Sequence, residues 1–494
     1  MAATAPLFDA AALRTLEARG RQAVGGDAFE LMRRAGQAAW RHALSQWPQA
    51  QRFLVACGPG DNGGDGYVFA RLARESGREV QVVSLRAHPP RSALARQACS
   101  DYLAAGGHLL AFDGALPAAD VVVDALFGIG LSRAPDESTG ALVEAINAGD
   151  APVLSLDVPS GIHADSGHAP STAVRAACTL QFIGEHAGLR TGDARDHAGT
   201  LALATLDLPE SVWHGVAPTA LLLSPDALAA RLPPRLRNAH KGDHGHVLCV
   251  GGDEGMGGAI ALCADAALRT GAGLVSVGTR AAHVAPLLAR RPECMAVAID
   301  TRRDLEPLLQ RARVVAIGPG LGRGMWGRIL FELVAADGHP AVFDTDALFH
   351  LAAAPRRLAA DAVITPHPGE AQRLRGDDGS PLHDRFALAR ALAARYGCSV
   401  VLKGAGTLIA APDRTLRVID AGNPGMASGG MGDVLTGVVA ALCAQGLPAF
   451  DAACFGALLH AHAGDMAARG GERGLLASDL MPCLRAAANP SSRP

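Results

Sequence analysis

RFLVACGPGDNGGDGYVFARLARESG, residues 52–77, decides the fold of the first half of the chain. The run RFLVACG is apolar on both faces, GPGDNGGDG is a glycine-rich turn, and YVFARLARESG reads as a helix. A strand with two apolar faces needs helices on both sides, the arrangement of a covered parallel sheet. The pattern repeats in EVQVVSL (79–85), ADVVVDALFG (119–128) and APVLSLDVPSG (151–161). Ahead of it, LFDAAALRTLEARG and DAFELMRRAGQAAWRHALSQW predict two amphipathic helices, with Leu13, Leu16, Leu31 and Met32 at helical spacing. This block closes near LATLDLPESVW, at about residue 213.

A Pro- and Leu-rich stretch follows. Pro233-Pro234 cannot sit inside a helix, so 215–235 is expected to be a linker. A second α/β block then runs through HVLCVGG (246–252), AGLVSVG (272–278), ARVVAIGPG (312–320), PAVFDTDAL (340–348), DAVITPHPGE (361–370) and CSVVLKGAGT (398–407). The expected domains are 1–215 and 226–494.

Composition agrees with two packed domains. The chain has 494 residues, and one core stops growing at roughly 250–300. Apolar residues are 49%, charged residues 19%, and the net charge is -3, which excludes a disordered chain and gives no footprint for nucleic acid. Aromatics at 4% argue against a stacking platform for single strands. The stretch 434–450 is broken by Gln445, Gly446 and Pro448, so it is expected to be a buried helix and its loop rather than a membrane span. Ten scattered cysteines without a CxxC pair, and no export signal, predict unpaired thiols and a cytoplasmic protein. Of the 45 basic residues only Lys241 and Lys403 are lysine, and each precedes a glycine. A slim ammonium beside a close-approaching backbone is therefore expected at these two positions.

Gly58, Gly60 and Gly63 fit the GxGxxG spacing of a pyrophosphate-binding turn. The acidic residue that would bind a ribose is missing from the next strand, EVQVVSLRA, so the ordinary dinucleotide fingerprint is not supported. Asn62 and Asp65 are polar groups a phosphate cradle does not need, and Asp65 alone reads as a helix cap. Asp124 and Asp157 each end an apolar strand, where an open parallel sheet forms its binding crevice. Asn62, Asp124, Asp157 and Ser160 should converge there, as oxygen ligands for a hard cation or with one carboxylate as general acid/base.

In the second half, GNPGMASGGMGDVLTGVVAAL (422–442) runs a glycine-rich turn into an apolar helix. Gly429, Gly430 and Gly432 leave N–H groups for an anion, and Asp433 sits beside them as a base for phosphoryl transfer. VVLKGAGT (400–407) could line a nucleotide's phosphates but is not a Walker A loop. His367 is held between two prolines, whereas His240, His244 and His246 lack the partners of a metal site.

GPGDNGGDG, DALFGIGL and LDVPSGIHADSG, in this order, resemble the N-terminal domain of NAD(P)H-hydrate epimerases, over roughly 8–213. The resemblance implies a Rossmann-like three-layer domain. It implies substrate contacts at Asp61, Asn62, Gly63, Gly64 and Asp65, at Gly128, Ile129, Gly130, Leu131, Ser132, Arg133 and Ala134, and at Asp157, the candidate acid/base. It also implies potassium on Asn62, Asp124 and Ser160. Two positions depart from the family pattern: Asp61 stands where an Asn is usual, and His186 where a Lys is usual. HKGDHGHVLCVGG, GAGLVSVG, GPGLG, TPHPGE, KGAGT and GNPGMASGGMGDVLTG resemble the ADP-dependent NAD(P)H-hydrate dehydratases, over roughly 226–490. That implies a ribokinase-like fold, with hydrate contacts at Ala259, at Gly320 or Gly322, at His367 and at Asp433. Nucleotide contacts fall on Lys403, Gly404, Ala405, Gly406, Thr407 and Gly432, with magnesium accompanying ADP.

The expected activity is repair of hydrated NADH and NADPH: epimerisation of R and S hydrates, then ADP-dependent dehydration of the S form. The expected partners are these small molecules and a further copy of the chain. The alternative is a ribokinase-like small-molecule kinase fused to a non-catalytic Rossmann-like module.

Overall fold

The computed structural model describes residues 4–131, 133–376 and 383–490, so Ser132 of the expected substrate loop lies outside the described residues. Contacts divide the chain into two compact units: Pro6–Ala220, and Leu221 onward together with the first few residues.

The first unit carries β1 (Thr4–Phe8) from Pro6 onward, β2 (Arg52–Cys57), β3 (Glu79–Ser84), β4 (Leu109–Ala111), β5 (Val121–Ala125), β6 (Val153–Leu156), β7 (Cys178–Phe182), β8 (Glu185–His186) and β9 (Thr200–Ala204). Seven of these form a wholly parallel sheet in the order β4-β3-β2-β5-β6-β7-β9. β5 and β6 are buried at every position, the consequence of runs with no polar face. The helices Ala10–Ala23 and Ala28–Gln46 form as their periodicity predicts, each opened by an Asp that accepts a backbone N–H of the first turn. The few aromatics are concentrated: Trp40, Phe53 and Phe69 meet edge to face, with centroids 5.4–5.8 Å apart.

One local expectation is corrected. The helix after β2 begins at Asp61, not after the glycines, so Asp61–Gly66 are its first turns and Gly60 is its cap. Asp65 therefore caps nothing. The glycines serve close packing: a Cβ on Gly63 would lie 2.0 Å from the Gly58 carbonyl oxygen, and one on Gly66 2.6 Å from Ala125 Cβ.

The second unit follows β10 (Ala220–Leu223) with β11 (His246–Val250), β12 (Leu274–Thr279), β13 (Met295–Ala298), β14 (Val314–Ile317), β15 (Ala341–Phe343), β16 (Val363–Ile364), β17 (Ser399–Leu402), β18 (Thr407–Ala410) and β19 (Leu416–Ile419). In this unit the sheet runs β13-β12-β11-β14-β15-β16-β17-β18-β19-β10, parallel from β13 to β17, with β17, β18 and β19 pairing antiparallel. The stretch 215–235 is not a plain linker: it carries β10 and a short helix, Ala227–Arg231, that ends before Pro233. The helix Met431–Ala444 is buried almost throughout, and Gly437 lets it touch the helix Gly257–Thr270, since a Cβ there would lie 2.1 Å from the Cys263 carbonyl oxygen. All ten cysteines are free, and burial pushes the thiols of Cys398 and Cys443 up to about 12, so they are unreactive. No helix among the described residues is long and apolar enough to cross a membrane.

Candidate active sites

In the first unit, the carboxyl ends of β2, β5 and β6 and the helix from Asp61 border a cavity of about 600 Å³. Asp61, Asn62, Asp65, Gly128, Ile129, Gly130 and Asp157 all line it, as the sequence predicts. Gly63, Gly64, Leu131, Arg133 and Ala134 do not. Gly64 instead packs on Met32, whose sulfur would lie 2.6 Å from a Cβ there.

Asp157 is the residue with unusual geometry. Its φ is +67, a conformation L-residues adopt rarely and at a cost of about 1–3 kcal/mol, and one that recurs at functional sites. The turn aims its carboxylate at the cavity: Oδ2 accepts the Ile129 N–H at 3.0 Å, and Oδ1 lies 2.9 Å from His186 Nε2. Gly128 makes room, because a Cβ there would lie 2.4 Å from Asp157 Oδ2. Gly128→Ala should therefore displace the carboxylate and cut turnover at this site by about 100-fold, the cost of a misplacement near 1 Å. The reaction of the second unit should be unchanged in the same preparation; equal loss of both would mean general damage.

Asp65 faces Asp157 across the site. Burial raises its carboxyl well above the usual range, and the Asp157 charge adds to the rise. Burial thus favours the neutral form of Asp65 beside Asp157.

Asp124 is fully buried at the end of β5. It accepts from Ser155 Oγ (2.8 Å), Ser160 N–H (2.8 Å), Ser160 Oγ (2.6 Å) and Leu126 N–H (3.2 Å). Burial raises its carboxyl, and among the described residues no basic side chain is paired with it. Asn62 Nδ2 donates to the Leu156 carbonyl at 3.2 Å, while its buried Oδ1 has no partner. A buried amide oxygen without a partner, and a buried carboxyl bonded to Ser160 with no paired cation among the described residues, are oxygen donors of the type a monovalent hard cation takes.

In the second unit, the residues around Asp433 form one charged cluster. Asp433 lies in the first turn of the helix Met431–Ala444, whose cap Gly430 has φ +91. A Cβ on Gly429 would meet open space, so the N–H groups at this terminus are approachable by an anion. The helix dipole favours an ionised Asp433. Burial and the Asp344 charge overcome it, and the carboxyl is pushed up to about 7.

Asp344 escaped the sequence reading. It is 0% exposed, accepts Lys403 Nζ at 2.7 Å on Oδ1, and accepts Thr436 Oγ1 at 2.9 Å on Oδ2. Lys403 also lies 3.8 Å from Glu370, and its ammonium stays charged because Asp344 and Glu370 offset the cost of burial. Lys403 is thus the counter-ion that keeps Asp344 and Glu370 in place, and the Gly432 backbone stands against it, with a Cβ position 3.2 Å from Nζ. The other lysine, Lys241, is exposed in a short 3-10 turn. Removing the cation in Lys403→Met strands a buried carboxylate, which should cost about 3–5 kcal/mol and appear as a lowered thermal midpoint. In Lys403→Arg the charge persists but the fork has no room beside Gly432, so nucleotide-dependent turnover should fall; unchanged turnover would contradict this placement.

His367 caps the helix Pro368–Arg375, with Nδ1 accepting the Gly369 N–H at 3.1 Å. Its Nε2 therefore carries the hydrogen and stands 3.4 Å from Glu370 Oε1, on a side chain 52% exposed. Gly320 abuts Ala259, whose Cβ would lie 3.3 Å from a Cβ there, and Gly322 donates its N–H to Asp346 at 2.9 Å. Gly404 and Gly406 have φ of +133 and +65, and the loop they form is held by Arg385, which donates to the Lys403 carbonyl at 3.2 Å. Thr407 Oγ1 donates back to Gly404 at 3.2 Å. Arg385 was also missed; it lies far upstream of the motif and carries no pattern of its own.

A parallel α/β unit with a strained carboxylate lining the crevice at its strand ends, and a second α/β unit with a glycine-rich helix terminus beside a raised Asp, have the architecture of a two-site α/β enzyme. The comparisons are specific. A family model described as NAD(P)H-hydrate dehydratase matches residues 247–485, and one described as YjeF-related protein N-terminus matches 28–188. The bifunctional NAD(P)H-hydrate repair enzyme of Escherichia coli K12 is 45% identical, covering 97% of this chain and 93% of that protein. The protein of the same description from Coxiella burnetii is 46% identical, covering 94% and 95%. A solved ribokinase-like superfamily protein from Enterococcus faecalis V583 is 30% identical with a TM-score of 0.51, covering 54% of this chain and 95% of that one. The chain belongs to the bifunctional NAD(P)H-hydrate repair enzyme family.

Proposed function

We propose that the chain repairs hydrated NADH and NADPH in two steps. The unit Pro6–Ala220 interconverts the R and S hydrates, and the unit from Leu221 onward dehydrates the S hydrate with ADP, giving AMP and phosphate. The observation that carries this reading is the pair of differently tuned acid/base carboxylates, Asp157 in its strained turn and Asp433 held near neutrality beside an anion site.

Water adds to the reduced ring so that the hydroxyl sits on the carbon next to the ring nitrogen. In the first unit Asp157 exchanges a proton with that hydroxyl, and Asp61, Asn62 and the Gly128–Gly130 segment hold the ring and its amide. Asn62 Oδ1, Asp124 and Ser160 would hold a potassium ion, which supplies a fixed positive charge to orient the polar end of the substrate. In the second unit His367 and the Ala259–Gly320 contact position the hydrate, and Lys403–Thr407 with Gly432 position the nucleotide. Asp433 takes the proton of the hydroxyl as the phosphoryl group arrives, and the N–H groups at Gly429–Gly432 stabilise its charge. Phosphate then leaves with the C–O electron pair, the neighbouring C–H proton is lost, and the ring double bond returns. Asp344 and Glu370 are engaged by Lys403, so magnesium would enter on the nucleotide's phosphates. Unpaired, mostly buried thiols are consistent with a reducing, cytoplasmic setting for this reaction.

Incubation of the S hydrate with protein and ADP should release reduced nucleotide, AMP and phosphate in equal amounts. Accumulation of a phosphorylated alcohol with ATP, and no reduced nucleotide, would instead mark a small-molecule kinase.

A further inference from the structure

His186, at the back of the first unit's cavity, has a settled protonation pattern. Its imidazole is 1% exposed on β8, which pairs with β1 through Phe8 and His186. Gln181 Oε1 accepts the His186 backbone N–H at 2.7 Å, and because a backbone N–H can only donate, this fixes which end of the amide faces the ring. The same oxygen lies 3.2 Å from Nδ1, so Nδ1 carries a hydrogen. Nε2 stands 2.9 Å from Asp157 Oδ1. If both groups lacked a further proton, a lone pair would face a carboxylate oxygen at contact distance, a repulsive arrangement in a buried site. The contact lacks the alignment of a linear hydrogen bond, so a proton there is held chiefly by charge and can be passed on.

We propose that His186 and Asp157 share one proton and together form the proton store of epimerisation, with Asp157 touching the substrate and His186 as its positioning residue. This rests on reading the first unit as the epimerase. The proton passes from the pair to the hydrate's hydroxyl, the C–O bond breaks as the ring nitrogen's lone pair forms C=N⁺, and water departs. Water then adds to the opposite face, the π pair returns to nitrogen, and the proton released by the added water goes back to the pair. Nothing is consumed. Asp65, kept neutral by burial, does not compete for the proton at neutral pH. The other charged groups around the cavity are Arg14, Glu17, Arg21 and Asp61, with Arg21 paired to Glu17 and 4.0 Å from Asp61. Glu185, beside His186, is bound by Arg190 at 2.6 Å.

Histidine as a residue type changes charge nearer neutral pH than lysine does, so exchanging the one for the other tests whether a proton is shared here. Conversion of isolated R hydrate to S, followed chromatographically from about pH 5.5 to about pH 9.5, tests it. The wild-type rate should fall about tenfold per unit above its alkaline limb. His186→Lys, which keeps a cation beside Asp157, should move that limb up by at least about one unit. His186→Gln should lower kcat about 100-fold with KM nearly unchanged and abolish the limb. ADP-dependent turnover of pure S hydrate serves as the folding control in each preparation. Wild-type kcat in His186→Gln, or an unmoved limb in His186→Lys, would overturn the proposal. If Asp157→Asn retains epimerisation, the reading of the site itself fails instead.

Discussion

Asp433→Asn should remove ADP-dependent dehydration by about 10²–10⁴-fold while leaving R/S interconversion intact. The size follows from the environment of this one carboxyl. Burial and the buried Asp344 lift it from 3.8 to about 7, against the pull of Lys403. A base with a pKa near the working pH combines a large ionised fraction with a strong affinity for the proton it must take. The sign of the pH dependence follows: the ionised form is the active one, so kcat/KM should rise about tenfold per unit up to about pH 7 and level off above it. In Asp433→Asn the residual rate should show no such limb. A wild-type profile flat between about pH 5.5 and about pH 8 would remove Asp433 from the role of base.

Asp157→Asn should abolish epimerisation by a similar factor of about 10²–10⁴ and spare dehydration of the pure S hydrate. Asn is the informative replacement because it tolerates the left-handed backbone that Asp157 adopts, φ +67, and keeps an oxygen for the Ile129 N–H. The fold should survive, and only the exchangeable proton is lost. Asp157→Val would add backbone strain to the loss of charge, so a fall in thermal stability is expected there and not in Asp157→Asn. Unchanged R/S interconversion in Asp157→Asn would sink the assignment.

Much of this was legible in the chain. Two-sided apolar runs such as VVVDA and VLSL could only be buried parallel strands, and both were. The strand-end carboxylates Asp124 and Asp157 were found because each closes such a run. Asp344 ends VFD in the same way and passed unnoticed, because its partners Lys403 and Thr436 lie 59 and 92 residues away. Lys403 was singled out by its charge and its glycine neighbour; its buried counter-ions Asp344 and Glu370 appear only when β15, β17 and the helix Pro368–Arg375 are brought together. His186 stood out only as a departure, and nothing local announces that it reaches Asp157, 29 positions upstream. The early start of the helix at Asp61 was hidden because glycines usually end helices; here each missing Cβ is space taken by a neighbouring backbone or side chain. The antiparallel pairing of β17, β18 and β19 was missed because its strands are only four residues each.

The central claim is that one chain holds both activities. An equilibrated mixture of R and S NADH hydrates, incubated with the protein and ADP, tests it through recovery of the reduced-nicotinamide absorbance. Recovery should be complete, because the R form is drawn through the first site as the second consumes the S form. Recovery that stops when the S form is spent and rises no faster than the uncatalysed rate would show an inactive first site. No recovery with ADP or ATP would contradict the account.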